Sequence, residues 1–143
     1  MRTRVVSSEA DLQQAYAIRF RVFVDEQQVP AEEELDALDA VSLHVLVLDG
    51  DQAVATGRLI PPDATHAYAK IGRMAVLASH RRRGAGRLVM EFLLQAAGER
   101  RWHEVRLAAQ DHAIPFYEAM GFCTCSDGFV ECGIAHHWMR RVL

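Results

Sequence analysis

The sequence predicts a single mixed α/β domain, and three observations predict it. The apolar residues repeat with two different periods, one that suits helices and one that suits strands. A strand, a basic glycine-containing turn, a helix and a second strand follow one another between residues 68 and 109, the order that produces a parallel crossover. The chain has 143 residues, half of them hydrophobic and 24% charged, which is enough for one core and too little for a second module.

The elements follow in order. Val5-Val6 reads as a short first strand. Ser8, with Asp11 three residues on, can cap a helix start, and Leu12, Ala15, Tyr16, Phe20 and Phe23 keep helical spacing, so a helix is expected over about 9–24. Pro30 and the acids after it make a loop with a short helix near Leu35–Leu38. Leu43–Leu48 is apolar on both faces, as a central strand would be. Asp49-Gly50 is a hairpin signal before Ala53–Ile60, which ends at Pro61-Pro62. Tyr68–Val76 is the third strand of this run. Residues 79–86 form a basic turn, and Leu88, Val89, Phe92, Leu93, Ala96 and Ala97 make the apolar stripe of a helix. Glu104–Ala109 is a strand. A helix opens at Asp111 or His112, with Pro115 in its first turn and Gly121 at its C′ position. Phe122–Ser126 and Ala135–Val142 read as a closing antiparallel pair joined through Asp127-Gly128. The whole gives about seven strands with flanking helices in one domain, residues 1–143.

Composition excludes several classes. Disorder, a collagen-like repeat and a disulfide scaffold do not fit it. The longest apolar stretch, residues 41–48, is too short to span a membrane and contains His44. The N-terminus has bases but no apolar signal region, so a cytoplasmic protein is expected. A formal net charge of −3 argues against general nucleic-acid binding, and no aromatic residue interleaves Arg81–Arg83. The charges are unevenly spread. Asp25, Glu26, Glu32, Glu33, Glu34, Asp36 and Asp39 occur with no base among them, whereas Arg81, Arg82, Arg83 and Arg87 fall together. Such a field suits an anion near 81–87, and a cation near 25–39 unless the acids are simply a solvated surface. Cys123, Cys125 and Cys132 are expected as reduced thiols; their spacing to His136 fits no common zinc knuckle, so no metal is expected.

The strongest chemical signal is Arg81-Arg-Arg-Gly-Ala-Gly86 between strand and helix. A helix N-terminus carries unpaired N–H groups and partial positive charge, Gly84 and Gly86 admit an anion to the backbone, and the arginines add forked donors. The loop is neither a Walker P-loop nor a Rossmann turn.

With Ile71-Gly-Arg-Met-Ala-Val76, Arg81-x-x-Gly84-x-Gly86 and Ala113-Ile-Pro-Phe-Tyr-Glu-Ala-Met-Gly-Phe122 in this order and at these distances, the chain resembles the GNAT superfamily of acyl-CoA-dependent N-acetyltransferases over nearly its whole length. Ile18–Pro30, Gly57-Arg58, Ala109-Gln110 and Glu131–His136 resemble the small ElaA-like branch. The resemblance implies that acetyl-CoA wedges between two splayed parallel strands. Backbone groups of Met74, Ala75 and Val76 would pair with pantetheine. Arg81, Arg82, Arg83, Gly84, Ala85, Gly86 and Arg87 would surround the pyrophosphate. Gln110 stands where many relatives have an asparagine that contacts CoA, and Phe116 and Tyr117 would flank the pantetheine and thioester. A homodimer is left open.

The reaction so implied is direct attack of a neutral amine on the thioester, which needs a base, an oxyanion donor and an acid for the thiolate. A backbone N–H near Val76 would serve the oxyanion and Tyr117 the sulfur. Glu131 and His136 lie on the family's acceptor side and are expected at the base position, with His44 and Glu33 or Glu34 as other candidates. The alternative from another class is a catalytically silent CoA-binding regulatory module, which keeps the loop and does without Tyr117.

Overall fold

The strands are set by runs of β-branched and apolar residues that bury both faces. The computed structural model describes residues 1–143. Its strands are β1 (Arg2–Val5), β2 (Leu43–Asp49), β3 (Gln52–Ile60), β4 (Ala69–Val76), β5 (Glu104–Gln110), β6 (Cys123–Thr124), β7 (Phe129–Glu131) and β8 (Ile134–Val142). They form one eight-stranded sheet in the order β1-β2-β3-β4-β5-β8-β6, with β7 also paired to β8. Every pairing is antiparallel except β4–β5, the expected parallel crossover. No helix is long and apolar enough to cross a membrane.

The crossover runs through α3 (Ala85–Glu99). Its stripe of Val89, Met90, Leu93, Leu94 and Ala97 packs with Val54, Leu59, Ile71, Val105, Leu107 and Met139 in the main core. Gly57 allows this approach: a Cβ there would lie 2.6 Å from Val89 Cγ1 and 2.9 Å from Met74 Sδ. A bulge in β4 falls at the same level, where the register slips between Thr56↔Ala75 and Arg58↔Gly72. It places Arg73 at φ 51°, and such a bulge bends the strand and re-aims its side chain.

The opposite face carries a smaller cluster of Ala15, Ile18, Val22, Leu46 and Ala75. Its helix α1 (Glu9–Arg19) starts on the expected cap, Ser8 Oγ accepting from Asp11 N–H at 3.1 Å. The expected helix over 9–24 changes winding part-way, continuing as a π-helical segment at Phe20–Glu26. The wider turn brings Val22, Phe23, Glu26 and Gln27 together onto one cavity wall.

Two local expectations are corrected. The short helix expected near 35–38 is split around an extended Leu35 into α2 (Ala31–Glu34) and a 3₁₀ turn (Ala37–Val41). Asp36 and Asp39 close a reciprocal capping box that starts the second piece. The closing pair is a trio: β6 and β7 both pair with the longer β8, and Asp127-Gly128 only links them. The hairpin turn is Cys132-Gly133, both with positive φ (50° and 75°). A two-residue turn needs that geometry, but a cysteine does not advertise it.

Candidate functional site

β4 and β5 share only the rungs Ala69↔Val105 and Lys70↔Arg106. Beyond them the strands part, and β5 instead pairs along its whole length with β8, from Glu104↔Val142 to Gln110↔His136. The gap opens into a cavity of about 680 Å³. Met74, Ala75 and Val76 line it from β4, and Leu107, Ala108 and Gln110 from β5.

At one end of the gap the chain turns into α3 through Gly84, whose φ of 89° makes it the left-handed N-cap. The backbone N–H groups of Arg82–Arg87 have no loop or capping partner. An unpaired amide row of this kind, at a helix start, is able to receive an anion. His80 braces the turn beneath it, bonded through Nε2 to Asp49 at 2.8 Å and through Nδ1 to Ser79 Oγ at 2.8 Å. Of the arginines, Arg82 and Arg83 are exposed, and Arg87 pairs along the helix with Glu91 at 2.9 Å. Arg81 is committed elsewhere: its Nε donates to Val76 O at 3.1 Å and its Nη2 to Glu26 at 2.7 Å. Phe116 lies over this turn, its Cζ 3.6 Å from where a Gly86 Cβ would be.

Tyr117 comes from α4 (Ile114–Ala119) and lines the cavity. It packs edge-on between Phe116 and Phe122. Burial pushes its phenol up to about 12, so it stays protonated. His136 faces the cavity from β8 on the side away from α3. Its Nδ1–H donates to Ile134 O at 2.7 Å, and its ring stacks on Phe129. A carbonyl can only accept, so the neutral ring keeps its lone pair on Nε2. Glu131 lines the same rim from β7 and is exposed.

Gln110 does not reach into free space. It exchanges amide hydrogen bonds with Gln27, at 2.9 and 3.2 Å, and so bars the cavity between the π-helical segment and the sheet. The structure therefore brings Tyr117, His136, Glu131, Gln110 and the β4 edge to one cavity with the amide row at its end. Two other base candidates are taken up structurally. His44 is buried with Nε2 at 2.9 Å from Asp39 O, and Glu34 is buried against Arg19 at 2.6 Å.

The acidic run is not a free negative surface. Glu34 and Asp39 are buried on Arg19, Asp39 and Asp36 bind Arg58, and Asp36 also meets Arg73 at 3.3 Å. Glu26 holds Arg81, and Glu33 accepts from Cys132 Sγ at 3.0 Å. The arginines beside Asp39 hold its carboxyl down to about 2 against the effect of burial. Arginines far away in sequence supply the counter-charge that the run itself lacks. Arg58 and Lys70, a lone cation in an apolar strand and the only lysine, were the unread signals of a polar floor under the cavity.

The chain matches the acetyltransferase (GNAT) domain family over residues 7–143. It is 39% identical over 142 residues to YjcF of Bacillus subtilis (strain 168), described as an uncharacterized N-acetyltransferase, covering 99% of both chains. It is 32% identical to the protein ElaA of Escherichia coli (strain K12), covering 94% of this chain and 91% of that one. An acyl-CoA N-acyltransferase from Pseudomonas aeruginosa superposes with a TM-score of 0.88 at 32% identity, covering 99% of both chains. The crystal structure of E. coli ElaA superposes at 0.85 with 26% identity, covering 97% of both. Parted strands, an amide row at a helix start and these likenesses lead to one conclusion: the chain is an acyltransferase and belongs to the GNAT acetyltransferase family.

Proposed function

We propose that the protein transfers the acetyl group of acetyl-CoA to a primary amine by direct attack. The observation that carries this reading is the parting of β4 from β5 directly beside the unpaired amides of Arg82–Arg87. A diphosphate held by those amides leaves its pantetheine arm to run along the free edge at Met74–Val76. The thioester then lies near Tyr117.

Each residue has a chemical task in this reading. His136 Nε2, directly or through water, takes the proton that the attacking amine gives up. A backbone N–H near Val76 faces the oxyanion. The C–N bond forms, the C–S bond breaks, and sulfur leaves with the electron pair. Tyr117 hydrogen-bonds that sulfur. Burial pushes the phenol up to about 12 and raises a thiol in the same site as well, so Tyr117 is the group that delivers the proton to sulfur, and solvent restores it. Glu131 adds negative potential near the incoming ammonium.

Mass spectrometry of amine libraries incubated with acetyl-CoA and protein tests the reading. The expected result is a product heavier by one acetyl group. CoA binding without acetylation of any amine would leave the silent CoA-binding module in its place.

A further inference from the structure

Strand alternation puts Arg58, Lys70 and Gly72 on one patch of the cavity floor, on the sheet face away from α3. Arg58 pairs across the sheet with Gly72. Lys70 precedes Gly72 by two residues, about 7 Å along β4. All three line the cavity.

Arg58 is only 4% exposed. Its Nη1 and Nη2 are given to Asp36 and Asp39 at 2.7–3.0 Å. Its Nε–H is the one buried side-chain polar atom in the chain with no partner. An orphaned buried donor of this kind is costly and calls for an explanation. No side chain covers it from residue 72: a Cβ built there would have Arg58 Nε, at 3.9 Å, as its nearest neighbour. Lys70 is in no ion pair or hydrogen bond. Arg73, turned by the bulge, spends Nε and Nη2 on the carbonyls of Glu34 and Glu33 and on Asp36, which leaves Nη1 free. The acids around this patch are already consumed by Arg19, Arg58 and Arg73. Arg58 Nε, Lys70 and Arg73 Nη1 are thus unspent donors on cationic groups.

We infer that this patch binds a carboxylate, so that the acceptor is an amino acid or another carboxylate-bearing amine. The inference rests on the transferase reading for its reaction, and on the orphaned Nε–H for its site. The carboxylate sits over Gly72, accepting from Lys70 and, with a small shift of the Arg58 side chain, from its Nε–H, while the amine reaches toward the parting of β4 and β5. Nitrogen gains the acetyl carbon and loses one proton, sulfur takes the electron pair and one proton, and the carboxylate is unchanged.

Two measurements test it. In the first, common amino acids and the corresponding amino-acid amides are assayed in pairs with acetyl-CoA. At least one acid is expected to exceed its amide by tenfold or more in kcat/KM. Lys70→Gln and Gly72→Ala, each checked for parent-like thermal unfolding, should shrink that ratio about tenfold through KM. Amides acetylated as well as acids, or a ratio that neither variant moves, overturns the inference. The second needs no turnover. Ligand-observed NMR compares N-acetyl amino acids with their amides on the CoA-mixed protein. Binding of acids alone, weakened in both variants, supports the site; parity, or no binding of either set, removes it. Acid binding with no acetyl transfer to any amine leaves the carboxylate site standing and defeats the transferase reading instead.

Discussion

Gln27 and Gln110 hold each other by two amide hydrogen bonds across the opening between the π-helical segment and the end of β5. They are 83 residues apart in sequence, so each depends on the other for a partner that no local element supplies. Gln27→Ala and Gln110→Ala should each lower stability by about 1 kcal/mol. The double variant should cost less than the sum, with a coupling of about 0.5–1 kcal/mol. Urea unfolding of the four proteins measures it, and strict additivity would show the pair to be idle.

Tyr117→Phe removes a hydroxyl that makes no hydrogen bond within the chain. The folded protein should therefore unfold at nearly the parent temperature. Under the proposed reaction, kcat falls on the order of 100-fold with little change in KM for acetyl-CoA. Steady-state kinetics checks this, and unchanged kcat takes Tyr117 out of the chemistry.

Gly84 and Gly86 separate backbone geometry from ligand access. Nothing lies within 4 Å of a Cβ built on Gly84, but its φ is 89°. Gly84→Val should therefore cost stability, by about 1–2 kcal/mol, besides any effect on CoA. Gly86 has no such φ, and its added Cβ would touch Phe116 and Val76 at 3.6 Å, an ordinary contact. Gly86→Val should keep the fold and weaken CoA at least tenfold by crowding the amide row. Calorimetric titration with CoA, beside thermal unfolding, distinguishes the two.

Acid should lower the protein's stability in two pH windows. Burial holds the His44 imidazole below its ordinary pKa of 6.5. A group whose folded pKa is depressed stabilises above its unfolded value, so this stability declines as pH falls from 6.5. Asp39 sits at about 2 against 3.8 unfolded, and its contribution is lost as pH falls from about 4 to about 2. Urea midpoints measured from pH 8 to pH 2 should fall in both windows. His44→Gln should flatten the upper one and leave the lower in place.

Much of this was written in the chain. The crossover helix, its basic glycine turn and the strands around it were legible because each rests on local chemistry: an apolar stripe, a glycine, a run of β-branched residues. Tyr117 and His136 were candidates by resemblance alone, and both line the cavity. The acidic run misled, because its counter-charges Arg19, Arg58 and Arg73 reach it only through tertiary folding. The third closing strand was missed because its turn uses Cys132 at a positive φ, where glycine or asparagine is the usual signal. The π-helical winding after Arg19 has no periodic mark of its own in so short a segment.

Because only two rungs tie β4 to β5, the molecule is two half-sheets stitched at one end and propped by α3. On the proposed reading, pantetheine in the cleft would add rungs that the polypeptide leaves out. The angle between the halves is then a joint property of protein and guest, and filling the cleft should slow amide exchange along Met74–Val76 far more than at the already complete β5–β8 ladder.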